Sequence, residues 1–332
     1  MTKRTIQSSS IKEVAALAGV SIATVSRVVN GVANKASAET VERVRRAIAT
    51  LDYRPTSAGR DLRQRTSRLV AVLAANLANP VMTAIAASAE AALREKGLVM
   101  VLCDTHDQPD LQDEYIREML AQQARAIVLL GAVDSRMLRR ATPGPIPLIF
   151  VNRRDPTGAA RPFIGIDNRR AGTDVARWAL AHGLADAALV HAPTASSATR
   201  ERVQGIRAGF AAAGMPLPDR RVLSPRSPDH MHIGLVAGRD LIERGDRPDL
   251  VICTGDLIAF GIARAWRDAG QGGTTPRLIG FDDSPMNAWL APGLSSVRIP
   301  YDAYGRAIVA ALLDGEGPSE IVLEHRIIER SL

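Results

Sequence analysis

The sequence has few of the residues that disulfide-rich, zinc-binding and membrane proteins require. Only two of its 332 residues are cysteines, Cys103 and Cys253. They lie far apart, which argues against a disulfide framework or a cysteine-rich zinc site. No uncharged apolar run approaches the roughly 18 residues of a membrane-spanning helix, and the polar, basic first ten residues lack the apolar core of a signal peptide. These absences predict a cytoplasmic protein with no membrane partner.

Motifs of catalysis are absent as well. The chain contains no G-x-x-x-x-G-K-[ST] phosphate-binding loop, no H-E-x-x-H and no G-x-S-x-G. Although α/β folds host many chemistries, no residue pattern here supports one. We therefore expect no catalytic residues, no metal ion and no cofactor. Apolar residues make up 46% of the chain, which is enough for sizeable cores, whereas aromatic residues make up only 4%.

The net charge of +7 is concentrated at one end of the chain. Residues 1–68 contain 13 basic and 5 acidic side chains, a net charge of +8, which leaves 29 basic and 30 acidic side chains for residues 69–332. A basic segment on a nearly neutral body indicates a module that binds a polyanion. A solvated basic tail is the alternative interpretation of charge alone.

The basic segment carries the signals of three short helices. Ser10 and Glu13 have the S-x-x-E form of a capping box, and Gly19 fits a turn that needs a positive φ angle. Ser21 can cap a second helix and Ser37 a third. Two helices joined by a glycine-containing turn and followed by a third indicate a helix-turn-helix unit.

The second helix carries residues suited to DNA. The N-terminal end of such a helix faces base edges in the major groove, where Ile22 and Ala23 can contact a thymine methyl group and Arg27 can donate two hydrogen bonds to guanine. Phosphate contacts, which set register, are expected from Ser21, Thr24, Ser26 and Asn30. A small helical domain for protein–protein interaction is the alternative.

Four segments of this region resemble the DNA-binding signature of the LacI/GalR family of bacterial transcription regulators: IKEVA at 11–15, AGVS at 18–21, ATVSRVVN at 23–30 and LDYRP at 51–55. The resemblance implies a nucleoid-associated regulator, expected to be a repressor. It would bind palindromic double-stranded operator DNA as a homodimer or higher oligomer, because two half-sites need two symmetry-related heads. The DNA-binding residues implied are Ser10, Ser21, Ile22, Ala23, Thr24, Ser26, Arg27, Asn30, Tyr53 and Leu62.

Residues 57–68 follow the headpiece of residues 1–56 and form either a solvated linker or, by resemblance, a hinge helix that forms on DNA. In the family a leucine of this helix wedges into the minor groove, and Leu62 stands at that place. Gly59 lowers helix stability by about 0.8–1.0 kcal/mol relative to Ala, and Asp61 adds a negative charge near the phosphates. Both favour disorder in the free hinge.

The body, residues 69–332, alternates short apolar runs with helical patterns. Strands are predicted at 69–73, 99–103, 126–130, 148–151, 163–166, 187–190, 250–253 and 278–281, and helices at 80–96, 111–122, 171–181, 200–213, 233–244 and 257–269. Buried strands that alternate with helices indicate parallel sheets. The length favours two such units.

The body also resembles the family, at residues 79–80, 165–168, 202–210, 280–283 and 294–298. The fold implied is an N-terminal all-α helix-turn-helix domain plus hinge, followed by an α/β core like periplasmic binding proteins, with two doubly wound parallel-sheet subdomains. The chain would cross between them near Asn168, Ile299 and Glu324. The N-subdomain would comprise 69–167 and 300–323, and the C-subdomain 168–299 and 324–332.

The resemblance places a small effector, a sugar or sugar derivative, in the cleft between the subdomains. Ligands of open α/β sheets sit beyond the carboxyl ends of the strands, and Asp282 follows such a run. With Arg202 it forms the favoured ligand pair, although the alternative is that either residue forms a structural ion pair. The predicted effector-binding residues are Asn76, Asn152, Arg153, Arg202, Gly255, Asp256 and Asp282.

Several positions depart from the family pattern. Gly255 and Ile299 replace an amide-bearing Asn and Gln, and residues 81–82 replace an aromatic pair. His230 and His232 stand where the family often has an aromatic wall, and they are interpreted as a polar loop or ligand contacts rather than as metal ligands.

Three arginines, Arg153, Arg154 and Arg202, suggest an acidic or phosphorylated sugar. The rival functions are a solute-binding or enzymatic α/β protein with an accessory DNA-binding head.

Overall fold

The structure is a computed structural model that describes residues 10–29, 36–53, 67–141, 144, 146–193, 196–270, 275–313 and 320–330. The chain divides into two compact units, Met1–Ser67 and Arg68–Leu332. Two residues of the predicted DNA-binding set, Asn30 and Leu62, lie outside the described residues, as does most of the predicted hinge.

Helices and strands are numbered in chain order. The helices are α1 (Ile11–Ala18), α2 (Ile22–Val29), α3 (Ala38–Thr50), α4 (Pro80–Glu95), α5 (Pro109–Ala121), α6 (Arg136–Arg140), α7 (Asn168–Ala181), α8 (Ser197–Ala212), α9 (His230–Glu243), α10 (Asp256–Asp268), α11 (Asn287–Leu290) and α12 (Tyr301–Leu313). The strands are β1 (Leu69–Ala74), β2 (Val99–Asp104), β3 (Ala126–Leu130), β4 (Leu148–Val151), β5 (Phe163–Ile166), β6 (Ala187–Val190), β7 (Val222–Leu223), β8 (Leu250–Cys253), β9 (Arg277–Asp282), β10 (Ser295–Arg298), β11 (Glu320–Leu323) and β12 (Arg326–Ile328).

The first unit contains the three predicted helices, and the capping box of α1 is confirmed. The main-chain N–H of Ser10 donates to Oε2 of Glu13 at 2.6 Å, and the N–H of Glu13 donates to Oγ of Ser10 at 3.3 Å. Gly19 ends α1 with a φ of 63°, a conformation that glycine adopts without steric cost. One fully buried valine from each helix forms the core: Val14, Val25 and Val44. This packing fixes which face of α2 stays exposed.

The second unit contains two sheets. The first has the strand order β11-β5-β4-β3-β1-β2, and its described pairings are parallel. The second has the order β12-β10-β9-β8-β6-β7 and is parallel except for the antiparallel pair of β10 and β12. The predicted fold class is therefore confirmed, with one antiparallel edge strand that the sequence did not reveal.

The chain passes between the two sheets three times: between β5 and α7, between β10 and α12, and between β11 and β12. Helix α12 packs against α4 on the first sheet, whereas α7 packs against α8, and α9 against α10, beside the second. We call the first sheet with α4, α5, α6 and α12 the first-sheet half, and the second sheet with α7 to α11 the second-sheet half.

Two glycines allow α7 and α8 to approach closely. A Cβ atom at Gly172 would lie 2.4 Å from the main-chain oxygen of Arg202, and one at Gly205 would lie 2.1 Å from the main-chain oxygen of Arg169. Both distances are far inside van der Waals contact, so any larger residue would separate the helices. The close packing positions Arg202, which lies on α8 beside the first residue of α7.

Candidate DNA-binding surface and ligand cleft

The N-terminal end of α2 is organised by a side-chain cap. Oγ of Ser21 accepts a hydrogen bond from the N–H of Thr24 at 3.2 Å, and the two hydroxyl groups lie 3.0 Å apart. Beside this cap, Ser21, Ile22 and Ala23 are exposed. Ile22 is 45% exposed, so a large apolar side chain stands on the surface where the sequence predicts contact with bases.

Arg27 lies one helical turn further along α2. Its Nε donates to the main-chain oxygen of Ala23 at 3.2 Å. This bond holds the guanidinium group against its own helix and leaves the two terminal nitrogens as further donors. Thr24, Ser26 and Arg27 are half-buried, so α2 offers fewer freely extended side chains than its sequence alone indicates.

Two other residues predicted to bind DNA have structural contacts in the first unit. Oγ of Ser10 lies within hydrogen-bond distance of Glu13, at 3.1 Å from Oε2, as part of the capping box. Tyr53 packs against the buried core of the three helices. Both therefore help to shape the unit, whether or not they also touch DNA.

Left-handed backbone marks the carboxyl ends of two strands in the second unit. Asn152, directly after β4, has a φ of 67°, and Asp282 and Asp283, at the end of β9, have φ values of 115° and 52°. Non-glycine residues rarely adopt positive φ angles, and such strain clusters at functional sites. The two predicted ligand residues Asn152 and Asp282 are both buried, at 8% and 7% exposed.

Arg202 is held by neighbours from α7, from β9 and from the loop after β8. Its Nε donates to Oδ1 of Asn168 and its Nη1 to the main-chain oxygen of Thr254, each at 2.8 Å. Its guanidinium carbon lies 4.4 Å from the centre of the Phe281 ring. The distance from Nη1 to Oδ1 of Asp282 is 3.8 Å, so the predicted ligand pair forms an ion pair without a direct hydrogen bond.

The surroundings of Asp282 only partly compensate for the loss of hydration that its carboxylate suffers on burial. Burial raises the pKa of its carboxyl group well above the ordinary value, and the positive charge of Arg202 offsets this only in part. A Cβ atom at Gly255 would lie 3.6 Å from Oδ2 of Asp282. Apart from Gly255 and its two chain neighbours, no other atom of the described residues lies within 4 Å of that Cβ position. The missing side chain at Gly255 thus leaves space beside the carboxylate.

Asp256 has a structural role that the sequence did not predict. Its Oδ2 accepts hydrogen bonds from the N–H of Ser284 and from Nδ2 of Asn287, both at 2.9 Å, and its Oδ1 accepts one from Oγ of Ser296 at 2.7 Å. Burial raises its pKa to about 6. These bonds fasten the loop after β9 and strand β10 to the start of α10, and they occupy both carboxylate oxygens.

In the first-sheet half, the strand ends bring Arg153 and Asn76 to the same edge. Nη1 of Arg153 donates to Oδ1 of Asp107 at 2.5 Å and to the main-chain oxygen of Gly131 at 3.2 Å. Oδ1 of Asn76 accepts from the N–H of Ala78 at 2.8 Å in the turn after β1.

The family's aromatic pair is replaced at 81–82 by residues that belong to the interior. Val81 and Met82 are only 5% and 3% exposed and pack in the main hydrophobic core. They therefore add no stacking surface to this edge of the sheet.

His230 is the first residue of α9 and lies among charges of both halves. Its pKa is lowered, chiefly by burial and then by the positive charge of Arg153, with a smaller effect of Arg202 in the same direction. Asp107 and Asp229 act in the opposite direction. The position of His230 among these charges fits the interpretation of the 229–232 segment as a ligand contact. Among the described residues, no group of three or more His, Cys, Asp or Glu is arranged to hold a metal ion.

Arg154 does not lie with the other two arginines. Its side chain pairs with Glu201 on α8, at 3.3 Å, and with Glu320 on β11, at 2.6 Å, and it covers the ring of Phe163. Its main-chain N–H donates to Oγ of Ser197. Arg154 thus has two carboxylate partners within the chain, and we leave it out of the group of arginines considered for an acidic ligand.

The chain thus combines a helix-turn-helix unit with a two-sheet α/β body whose strand ends carry buried polar residues. Residues 10–56 match the family described as bacterial regulatory proteins, lacI family, and residues 66–282 match the periplasmic binding proteins and sugar binding domain of the LacI family. The chain belongs to the LacI family and is a DNA-binding transcription regulator. In the described residues no helix is long and apolar enough to cross a membrane.

Other transcription regulators match this chain over nearly its whole length. The transcriptional regulator GntR of Pseudomonas aeruginosa is 31% identical over 93% of this chain and 90% of its own, and CelR of Thermobifida fusca is 30% identical over 96% and 97%. The Lac repressor dimer bound to operator and the anti-inducer ONPF shares the fold, with a TM-score of 0.83, 23% identity, and 98% and 99% of the two chains covered.

Proposed function

We propose that this chain is a repressor that binds a palindromic operator as a homodimer and changes its operator affinity when a small effector binds its body. It acts in the cytoplasm, on nucleoid DNA, and without catalysis. The headpiece comprises residues 1–56, the hinge 57–68 and the effector-binding core 69–332. Dimeric binding is supported by the Lac repressor, a structural neighbour that is itself a dimer on operator DNA.

The effector site that we propose lies in the cleft between the two halves. It comprises Asn76, Asn152, Arg153, Arg202, His230, Gly255 and Asp282. The observation that carries this assignment is the buried pair of Arg202 and Asp282, whose Nη1 and Oδ1 atoms lie 3.8 Å apart, with space beside the carboxylate at Gly255. His230 is included because its pKa is lowered by burial and by the positive charges of Arg153 and Arg202. Asp256 is left out, because its carboxylate oxygens are used inside the protein.

The proposed effector is a carbohydrate derivative that carries a carboxylate or phosphate group. Arg153 and Arg202 each keep donors in fixed positions, and a guanidinium group suits a planar carboxylate or a phosphate. Val81 and Met82, at the place of the family's aromatic pair, are apolar and buried, so they offer no ring on which a neutral sugar could stack. A carbohydrate is supported by the matching sugar-binding domain and by the cellobiose complex of CelR, which has a TM-score of 0.70 and 26% identity to this chain.

Effector binding would act by favouring one relative orientation of the two halves. That orientation sets the spacing of the two hinge segments in a dimer, and with it the insertion of Leu62 into the minor groove. Because the coupling is reciprocal, operator DNA must change the affinity for the effector by the same factor.

Operator binding is tested by comparing a palindromic LacI-type operator with shuffled DNA of the same composition at one salt concentration, since both share the phosphate attraction of the basic head. We expect tighter binding to the palindrome, with two chains per duplex. Equal affinity for both duplexes would remove the specific-regulator proposal.

The effector class is tested by thermal denaturation with neutral sugars, sugar acids and sugar phosphates. A ligand that binds only the folded state raises the melting temperature. We expect the acidic derivatives to do so and the Arg153→Gln variant to lose the effect. Stabilisation by neutral sugars alone would contradict the proposed ligand class.

A further inference from the structure

A cavity of about 870 Å³ lies in the Arg68–Leu332 unit and shares no residue with the proposed effector site. Its walls are formed by two passages between the sheets, residues 298–303 and 324–326, together with residues 283–285 and parts of α11 and α12. The volume is within the range of about 300–1,000 Å³ that is usual for small-molecule sites.

The arginines that line the cavity outnumber the carboxylates with which they form ion pairs. Nε of Arg298 and Nη2 of Arg330 each donate to the buried carboxylate of Asp283 at 2.5 Å, so two positive charges meet one negative charge. Arg306 and Arg326 also line the cavity and are exposed. Within the described part of the chain neither of these two has an ion-pair partner.

The cavity is lined by four arginines and three carboxylates, so its described charged side chains leave one positive charge in surplus. Asp302 and Glu324 are both exposed, and Glu324 lies 3.8 Å from Nη1 of Arg170, a residue outside the cavity. A guanidinium group can only donate hydrogen bonds. Several guanidinium groups around one cavity can therefore bind the oxygens of a phosphate or carboxylate group. Pro300 and the ring of Tyr301 add an apolar wall against which the carbon skeleton of a ligand can pack.

We propose that this cavity is a second ligand site, for a small organic anion that carries a phosphate group or two carboxylates. The anion bridges Arg306 and Arg326 and completes the charge balance that Asp283 leaves open. This site is separate from the effector cleft. Anion binding to it does not depend on the effector, whereas its allosteric role rests on the proposed function.

The position of the site makes it a second allosteric input. Arg306 belongs to α12 in the first-sheet half, whereas Arg326 belongs to β12 in the second sheet. An anion held by both favours the orientation of the two halves in which the guanidinium groups face the same cavity. A ligand shifts an equilibrium to the extent that it binds one state better than the other, so the anion adjusts the same movement that the effector uses.

The test is isothermal titration of the full-length chain with inorganic pyrophosphate at constant ionic strength. The double variant Arg306→Gln/Arg326→Gln should bind pyrophosphate at least tenfold more weakly than the wild type. Arg117→Gln/Arg136→Gln removes the same charge from exposed positions on α5 and α6 and should bind as the wild type does. Binding of pyrophosphate in the effector cleft would instead be weakened by Arg153→Gln.

Three results would overturn the proposal. Wild-type affinity in the Arg306→Gln/Arg326→Gln variant would place the ion elsewhere, the basic headpiece included. An equal loss in the Arg117→Gln/Arg136→Gln variant would reduce the binding to general charge attraction. A loss in Arg153→Gln alone would assign pyrophosphate to the effector cleft. Because no operator DNA is present, failure here leaves the repressor function untouched.

Discussion

The main-chain N–H of Arg154 donates a hydrogen bond of 2.8 Å to Oγ of Ser197 and so joins the first-sheet half to the second. The side chain of Arg154 extends the link, because it pairs with Glu201 on α8 while it stays bound to Glu320 on β11. These contacts stabilise the relative orientation of the halves in this structure, which is the property that an effector is proposed to change.

The Arg154→Met variant should loosen this link. The side chain is 40% exposed, so the expected loss in free energy of unfolding is only about 1 kcal/mol, measured by urea denaturation. The ratio of operator affinities with and without effector should also change. Arg139→Met breaks an exposed pair with Asp134 inside one half and should leave that ratio unaltered. An identical ratio in Arg154→Met would show that the link does not contribute to coupling.

The Asp282→Asn variant should lose the response to effector and keep the fold. The substitution preserves shape but leaves the buried guanidinium group of Arg202 without its carboxylate partner, so folding stability at pH 7 should be lower than that of the wild type. Operator affinity without effector should equal that of the wild type. Effector binding, followed by titration calorimetry, should fall at least tenfold, and a retained response would exclude Asp282 from the site.

Asp256 makes stability depend on pH in a defined direction. Its pKa is about 6 in the folded protein, against an ordinary value of 3.8 for an aspartate side chain, so the folded state binds the proton more tightly. The contribution of Asp256 to stability is therefore highest below about pH 4 and decreases as the pH rises to about 6. Relative to an Asp256→Asn variant, the wild type should lose at most about 3 kcal/mol across this interval.

The measurement is the difference in free energy of unfolding between wild type and Asp256→Asn at pH 4, 5, 6 and 7. The difference should become less favourable to the wild type up to about pH 6 and then stay constant. A difference that grows in favour of the wild type over this range would contradict the raised pKa.

The Arg27→Ala variant should lose preference among bases at one operator position. A bidentate contact with guanine contributes about 1–3 kcal/mol of discrimination, and affinities for operators with each base at that position measure it. Thr24→Ala, which removes a hydroxyl group held beside Ser21, should instead weaken all operators alike. A uniform loss in Arg27→Ala would make this residue a phosphate contact.

Local features of the fold were predictable because their causes lie close together in the chain. The capping box at Ser10 and Glu13 needs only three residues of spacing, and the buried strands of the parallel sheets appear as continuous apolar runs. By contrast, β11 and β12 are edge strands with exposed and half-buried residues. Their apolar runs are only three and two residues long, 321–323 and 327–328, too short to indicate a strand or the antiparallel pairing of β12.

The roles of individual site residues depended on distant partners. Asp256 looks like a ligand contact from its place after β8, but its hydrogen-bond partners lie 28, 31 and 40 residues further along the chain. Arg153 and Arg154 are adjacent in sequence, yet only Arg154 meets two carboxylates from α8 and β11. A local sequence pattern does not show these long-range contacts. By contrast, the positions of Asp282 and Asn152 at strand ends follow from the predicted strands themselves.

The most direct test of the account is a thermodynamic cycle with one acidic sugar derivative that stabilises the protein. Operator affinity is measured with and without saturating ligand, and ligand affinity with and without saturating operator, for wild type and Asp282→Asn. The account predicts that the two factors are equal and differ from one in the wild type, and that the variant shows no coupling. A ligand that binds the wild type tightly while operator affinity stays the same would contradict it.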